Sequence, residues 1–262
     1  MREMLEDLQS LSHPDPTRRA QIQMKRPLPK RFYKHVTVGQ GDDGHAIQLD
    51  GRPVKTPARN DLVAPNGALG ILIAQEWDAQ GEVIDPATMP ITRLVNTAID
   101  GIATDPQAVF DDIVRYSASD LLCYRAETPE ELVLRQAQQW DPLIDWASNE
   151  LGARFVLVEG IMPQEQPGEA IAAFAVTLGK YKTPIELGCL HTVTTLTGSA
   201  VLALAFAEGR VSADEAWALS LLDEDWTDEH WGVDAQSVER RAKRYTEYQA
   251  ATAAFLGLRD VV

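Results

Sequence analysis

Apolar and polar positions alternate in short runs near the start of the chain and settle into helical periods beyond it. Residues 33–38, 46–49 and 54–56 predict short strands, and 60–63 adds a fourth. Asp50-Gly51, between the second and third, is a hairpin-turn pair, because glycine takes a positive φ without a steric penalty. Residues 68–80 then predict a helix with Leu69, Leu72, Ile73 and Trp77 on related faces. Asp85-Pro86 and Met89-Pro90 mark a boundary, after which the pattern is helical over 91–102, 106–122, 128–151, 167–181, 184–207, 213–230 and 235–256. Residues 154–158 read as a short strand or an extended linker. The expected class is α+β: a small N-terminal β-rich domain with a packed helix (31–84), followed by a larger all-α helical domain (85–262). Residues 1–30, interrupted by Pro14, Pro16, Pro27 and Pro29 and without an apolar period, read as a flexible tail.

Capping signals punctuate the helical part. Asp105-Pro106 opens one helix. Thr128-Pro129-Glu130-Glu131, Thr183-Pro184-Ile185-Glu186 and Ser212-Ala213-Asp214-Glu215 each have capping-box form, in which the hydroxyl accepts from a backbone amide and the glutamate reaches back. Pro142, inside Trp140-Asp141-Pro142, should kink or split the helix that holds it. Residues 187–207 contain no Asp, Glu, Lys or Arg and are long enough to cross a bilayer. Their histidine, five hydroxyls and two glycines favour a central helix buried in a soluble core, so no membrane span is expected.

Charge narrows the function classes. The net charge of −15 is uneven: residues 1–34 carry eight basic and four acidic residues, while the rest balances to −19. A body this acidic repels phosphate backbones, which argues against nucleic-acid binding. Cys123 and Cys189 are far apart and lack the spacing of a zinc site or disulfide framework, and Cys123 lies in an apolar run that favours an inert thiol. The start of the chain, with Arg2, Glu3, Glu6 and Asp7, has neither a secretory signal's apolar stretch nor a transit peptide's composition.

Catalytic patterns are sparse. Gly39-Gln40-Gly41-Asp42-Asp43-Gly44 matches G-x-G-x-x-G, but a strand follows it instead of a helix, and its aspartates would repel phosphate, so it reads as a hairpin turn. The five histidines do not pair at ligand spacing, and His191 reads as a hydrogen-bonded core residue. No cofactor or metal site is indicated.

The most informative stretch is 222–232, which gathers Asp223, Glu224, Asp225, Asp228 and Glu229. Near the C-terminal end of a helix over 213–230, these acids would oppose the helix dipole and repel one another at four-residue spacing. A cationic partner surface would relieve that cost. The stripe Trp217, Leu221, Glu224, Asp228 puts Glu224 where an apolar face meets an acidic one, a natural protein contact. Trp226 and Trp231 read as core or interface, and Arg240, Arg241, Lys243 and Arg244 on the next helix are placed to compensate the acids across a turn. A carboxylate-based or metal-dependent hydrolase using the 223–229 cluster is the rival reading, and a membrane-associated scaffold using 187–207 a third.

The run Leu222-Asp223-Glu224-Asp225-Trp226 followed by His230-Trp231-Gly232 resembles a segment of the assembly chaperones for the alpha subunit of ATP synthase. So do Arg31-Phe32-Tyr33-Lys34 with Leu49-Asp50-Gly51-Arg52-Pro53-Val54-Lys55-Thr56-Pro57, Glu76-Trp77-Asp78-Ala79-Gln80 with Met89-Pro90-Ile91-Thr92-Arg93-Leu94, and Gln139-Trp140-Asp141-Pro142-Leu143-Ile144-Asp145-Trp146. The resemblance runs in order from about residue 31 to 232. It implies a non-enzymatic, cofactor-free holdase that binds the free alpha subunit of the F1 sector until a beta subunit replaces it. The protein is expected to be a monomer, cytoplasmic in a bacterium, with eukaryotic relatives in the mitochondrial matrix. The resemblance places the key acid at Glu224, with the register open by one residue toward Asp223 or Asp225. Trp77 takes a structural role at the domain junction.

Overall fold

The structure is a computed structural model and describes residues 28–259 apart from 42, 43 and 161–163. Most of the expected tail, and the two central residues of the expected Gly39–Gly44 turn, lie outside the described residues. The flanking strands form the hairpin: β1 (Val36–Gly41) pairs antiparallel with β2 (Gly44–Leu49), from Val36 opposite Leu49 to Gly41 opposite Gly44. Asp50 and Gly51, at φ 48° and 78°, then turn the chain into β3 (Arg52–Pro53). The short β4 (Val63–Ala64) pairs with the other end of β2. Helix α1 (Gly67–Asp78), capped by the Asn66 side chain, packs on this sheet and buries Leu69 and Ile73. Pro29 and Lys30, expected in the tail, instead meet the 83–84 segment, where the Pro29 carbonyl accepts from the Ile84 amide.

The rest is helical, with one two-residue parallel ladder between β5 (Tyr124–Arg125) and β6 (Val158–Glu159). In order come α2 (Pro90–Asp100), α3 (Pro106–Ser117), α4 (Glu130–Glu150), α5 (Gly168–Leu178), α6 (Pro184–Thr197), α7 (Ala200–Ala207), α8 (Ala213–Ser220), α9 (Leu222–Trp231) and α10 (Ala235–Arg259). The α+β architecture expected from the pattern is therefore the one observed. One hydrophobic cluster runs from Ile47 and Leu69 on the sheet side through Val95 and Leu190 to Phe255 on α10. Hydrogen bonds also cross the expected boundary: Asn66 donates to the carbonyls of Gly257 and Leu258 (2.8 and 3.1 Å), and Asp100 accepts from Thr56 and Asn60.

Three local expectations are corrected and that at Pro142 is narrowed. The segment 184–207 is two helices, because Gly198 adopts a left-handed φ of 70° and Ser199 caps a new start. All eight residues of α7 are buried, and among the described residues no helix is long and apolar enough to cross a membrane. The segment 213–230 is likewise two helices, parted at Leu221. Pro142 does not split α4, which runs on past it with the Gln138 carbonyl deprived of its usual amide donor. The Thr183 and Ser212 capping boxes form, but the Thr128 one does not: α4 begins at Glu130 with extended Pro129 in the cap position.

Candidate functional site

The break at Leu221 reverses the electrostatics expected of the acidic stretch. Leu221 (φ −99°, ψ 2°) ends α8, and the buried Leu221–Leu222 pair draws the chain inward before α9 restarts. Asp223, Glu224 and Asp225 thus occupy the first turn of α9, where the unpaired amides favour negative charge, and not the last turn of a longer helix. The repulsion expected among the acids is relieved from within as well. Arg241 of α10 reaches Asp225 at 2.7 Å, Asp228 at 3.2 Å and Glu224 at 3.4 Å. Arg244 reaches Glu224 at 2.9 Å and donates to the Leu196 carbonyl at 2.9 Å. Arg135, on α4, grips Glu229 through two hydrogen bonds of 2.6 and 3.0 Å, which hold the Glu229 carboxyl below its ordinary range. Gln136 donates to Asp223 at 2.8 Å.

Glu224 remains 47% exposed despite its two arginines. Between α9 and α10 lies a cleft of about 450 Å³ lined by Asp223, Glu224, Asp228, Arg240, Arg241 and Arg244. Trp217, expected beside Glu224 on a contact stripe, lies beneath the surface. Its ring sits 4.9 Å from Tyr248 and 5.3 Å from Tyr245, with the Arg244 guanidinium 5.6 Å away over its face. It props Arg244, and through it Glu224. From buried Trp226 an aromatic series runs outward: His230 stacks on it at 4.0 Å and lies 5.9 Å from Trp231, which is 75% exposed.

Trp77 sits far from this cluster in sequence, at the end of α1. It meets Tyr33 edge to face at 5.9 Å, and its carbonyl accepts from the Tyr33 hydroxyl at 2.6 Å. Its neighbour Glu76 does more than the sequence reading foresaw. No side chain at Met89 caps α2, and the Glu76 carboxylate fills that role, accepting from the amides of Ile91 and Thr92 and the Thr92 hydroxyl, each at 2.7 Å. Burial raises its pKa. The signal was present as an orphan helix start at Met89-Pro90 with an acid fifteen residues upstream of Ile91.

Asp120 was also missed. It is fully buried and accepts from the Ser199 hydroxyl (2.7 Å), the Val201 amide (2.9 Å) and the Leu122 amide (3.0 Å), so it ties the 120–123 turn to the start of α7. Desolvation pushes its pKa up to about 6. Cys123 beside it is buried, its thiol raised by desolvation to about 12, and burial raises the Cys189 thiol further. His191 is half-buried rather than in the core, 2.7 Å from Asp112 on α3. Among the described residues no group of three or more His, Cys, Asp or Glu could hold a metal ion. The 223–229 carboxylates that a hydrolase would need open are engaged by arginine or glutamine.

Known proteins share this fold. The profile of the ATP12 chaperone protein family matches residues 30–148. The crystal structure of Atp12 from Paracoccus denitrificans superposes with a TM-score of 0.78 at 38% identity, covering 88% of this chain and 97% of that one. A candidate chaperone from Agrobacterium tumefaciens superposes with a TM-score of 0.86 at 62% identity, covering 98% and 97%. The mitochondrial protein atp12 of Schizosaccharomyces pombe is 26% identical over 226 residues, covering 82% of this chain and 77% of its own length.

Proposed function

The chain belongs to the ATP12 chaperone family, and on that premise we propose that it captures the free alpha subunit of the F1 sector of ATP synthase. It shields that subunit from aggregation and yields it to the beta subunit. The observation that carries this reading is the match at 38% identity along nearly the whole of the Paracoccus Atp12 chain. The physical demand is plain: a subunit built for a ring exposes apolar surface when alone, and such surface aggregates. A holdase meets it with a reversible contact. Asp223, Glu224, Asp225 and Asp228 form the acidic side of that contact, with Trp217 as its support and Trp77 as a structural brace at the end of α1. The same reading makes the protein a cytoplasmic monomer in a bacterium, with mitochondrial relatives in the matrix.

Co-expression with alpha and beta subunits in separate cultures, followed by affinity capture, tests it. Alpha should co-purify and beta should not, and the added protein should suppress light scattering by isolated alpha. Capture of beta instead, or scattering by alpha that is unchanged, overturns the proposal.

A further inference from the structure

At the junction of α9 and α10 three large apolar side chains stand in solvent within eight residues: Trp231 (75% exposed), Val233 and Val238. We propose that Trp231, flanked by these valines, is the anchor of the chaperone's contact, entering an apolar depression rimmed by basic side chains on the free alpha subunit. The inference deepens the function proposed above and rests on its choice of partner.

Two features make Trp231 more than a stray exposed residue. Its backbone closes a helix: Gly232, at φ 86°, ends α9 immediately after it, and the inner end of the aromatic series through His230 is fixed by buried Trp226, over which Arg135 lies. A side chain carried on a folded helix end needs no backbone ordering on binding, and tryptophan is enriched among residues that dominate interface energy. Its surroundings also specify a partner. Residues 222–244 hold seven acids and four bases within a chain of net charge −15, so the rim attracts a positive surface and repels another copy of this chain. An aromatic centre with a charged rim is the anatomy of a protein contact.

The test is titration of purified alpha subunit from the same source into the full chain, wild type, Trp231→Ala or Trp231→Phe, with melting temperature and sedimentation measured in parallel. Val176→Ser alters a comparably exposed apolar residue on α5 and controls for general surface hydrophobicity. Trp231→Ala should weaken Kd by about 30-fold or more without lowering Tm. Trp231→Phe should retain most of the affinity, and Val176→Ser should match wild type. Emission from the wild type should shift to the blue on binding, and that shift should be lost in Trp231→Phe. Wild-type affinity in Trp231→Ala, while wild type binds alpha, overturns the anchor and leaves the partner standing. Failure of wild type to bind alpha overturns both. A wild-type dimer that Trp231→Ala dissociates also overturns the anchor, since a second copy then covers the residue.

Discussion

Asp120 and the α9 acids are carboxylates doing related work in opposite surroundings. Asp120 is sealed in the core beside the start of α7 and accepts only from hydroxyl and backbone amide donors, with no ion pair among the described residues. The α9 acids, three of them in the first turn of their helix, sit partly in water, each within reach of an arginine or glutamine. Glu76 is intermediate, part-buried while capping α2. Burial decides what each can be used for. A sealed carboxylate that closes several buried donors is costly to disturb, and no partner can reach it. An exposed acid with an arginine adds little to stability, since water and salt screen the pair. In the function proposed above, the α9 acids would exchange their internal arginines for a partner's without endangering the fold.

The largest effect is expected from Asp120→Ala. It leaves the Ser199 hydroxyl and two amides without their acceptor in the core, and should lower the free energy of unfolding by about 3 kcal/mol. Chemical denaturation measures it. A loss under about 1 kcal/mol would mean that the buried and exposed carboxylates are energetically alike.

Titration sharpens the same contrast. The folded pKa of Asp120, about 6, lies above its ordinary value of 3.8, so the folded protein holds that proton more tightly than the unfolded chain. Its contribution is complete below the ordinary value and is lost as pH rises through about 6. The amount is on the order of 2–3 kcal/mol. Glu215 and Glu229, held low by hydrogen bonds from Ser212 and Arg135, contribute in the opposite direction. The Asp120 part is therefore read as a difference: the stability of wild type minus that of Asp120→Asn should shrink between pH 4 and pH 7. A difference that stays flat over this range removes the desolvated carboxylate as its source.

The fold was legible where the signal is local, and the site only in outline. Asp50-Gly51 and the Thr183 and Ser212 boxes depend on residues within one turn of each other, and they formed as read. The helix ends at Gly198 and Leu221 were missed, because an uninterrupted apolar period outweighed a single glycine and gave no mark at Leu221. Missing the second end placed three acids at the wrong pole of their helix. Arg241 and Arg244 were foreseen as compensating charges, since the chain turns back between α9 and α10. Arg135 lies 94 residues from Glu229, and Asp120 lies 79 from Ser199. Nothing in a local window joins such pairs; tertiary packing alone does.

The smallest stability effect separates fold from function most cleanly. Glu224→Ala removes one carboxylate from a group in which Arg241 keeps Asp225 and Asp228, and Arg244 keeps the Leu196 carbonyl and the face of Trp217. Neither arginine is orphaned. The unfolding free energy should change by less than about 1 kcal/mol, and the difference from wild type should narrow further in high salt. On the function proposed above, capture of the alpha subunit should nevertheless weaken, because the carboxylate is lost from the face proposed to meet a basic surface. Both quantities come from one preparation, by denaturant titration and by binding. Weakened capture with an intact fold assigns Glu224 to the contact. A destabilisation close to that of Asp120→Ala would show instead that exposure does not spare a carboxylate here, and the contrast between core and rim would collapse.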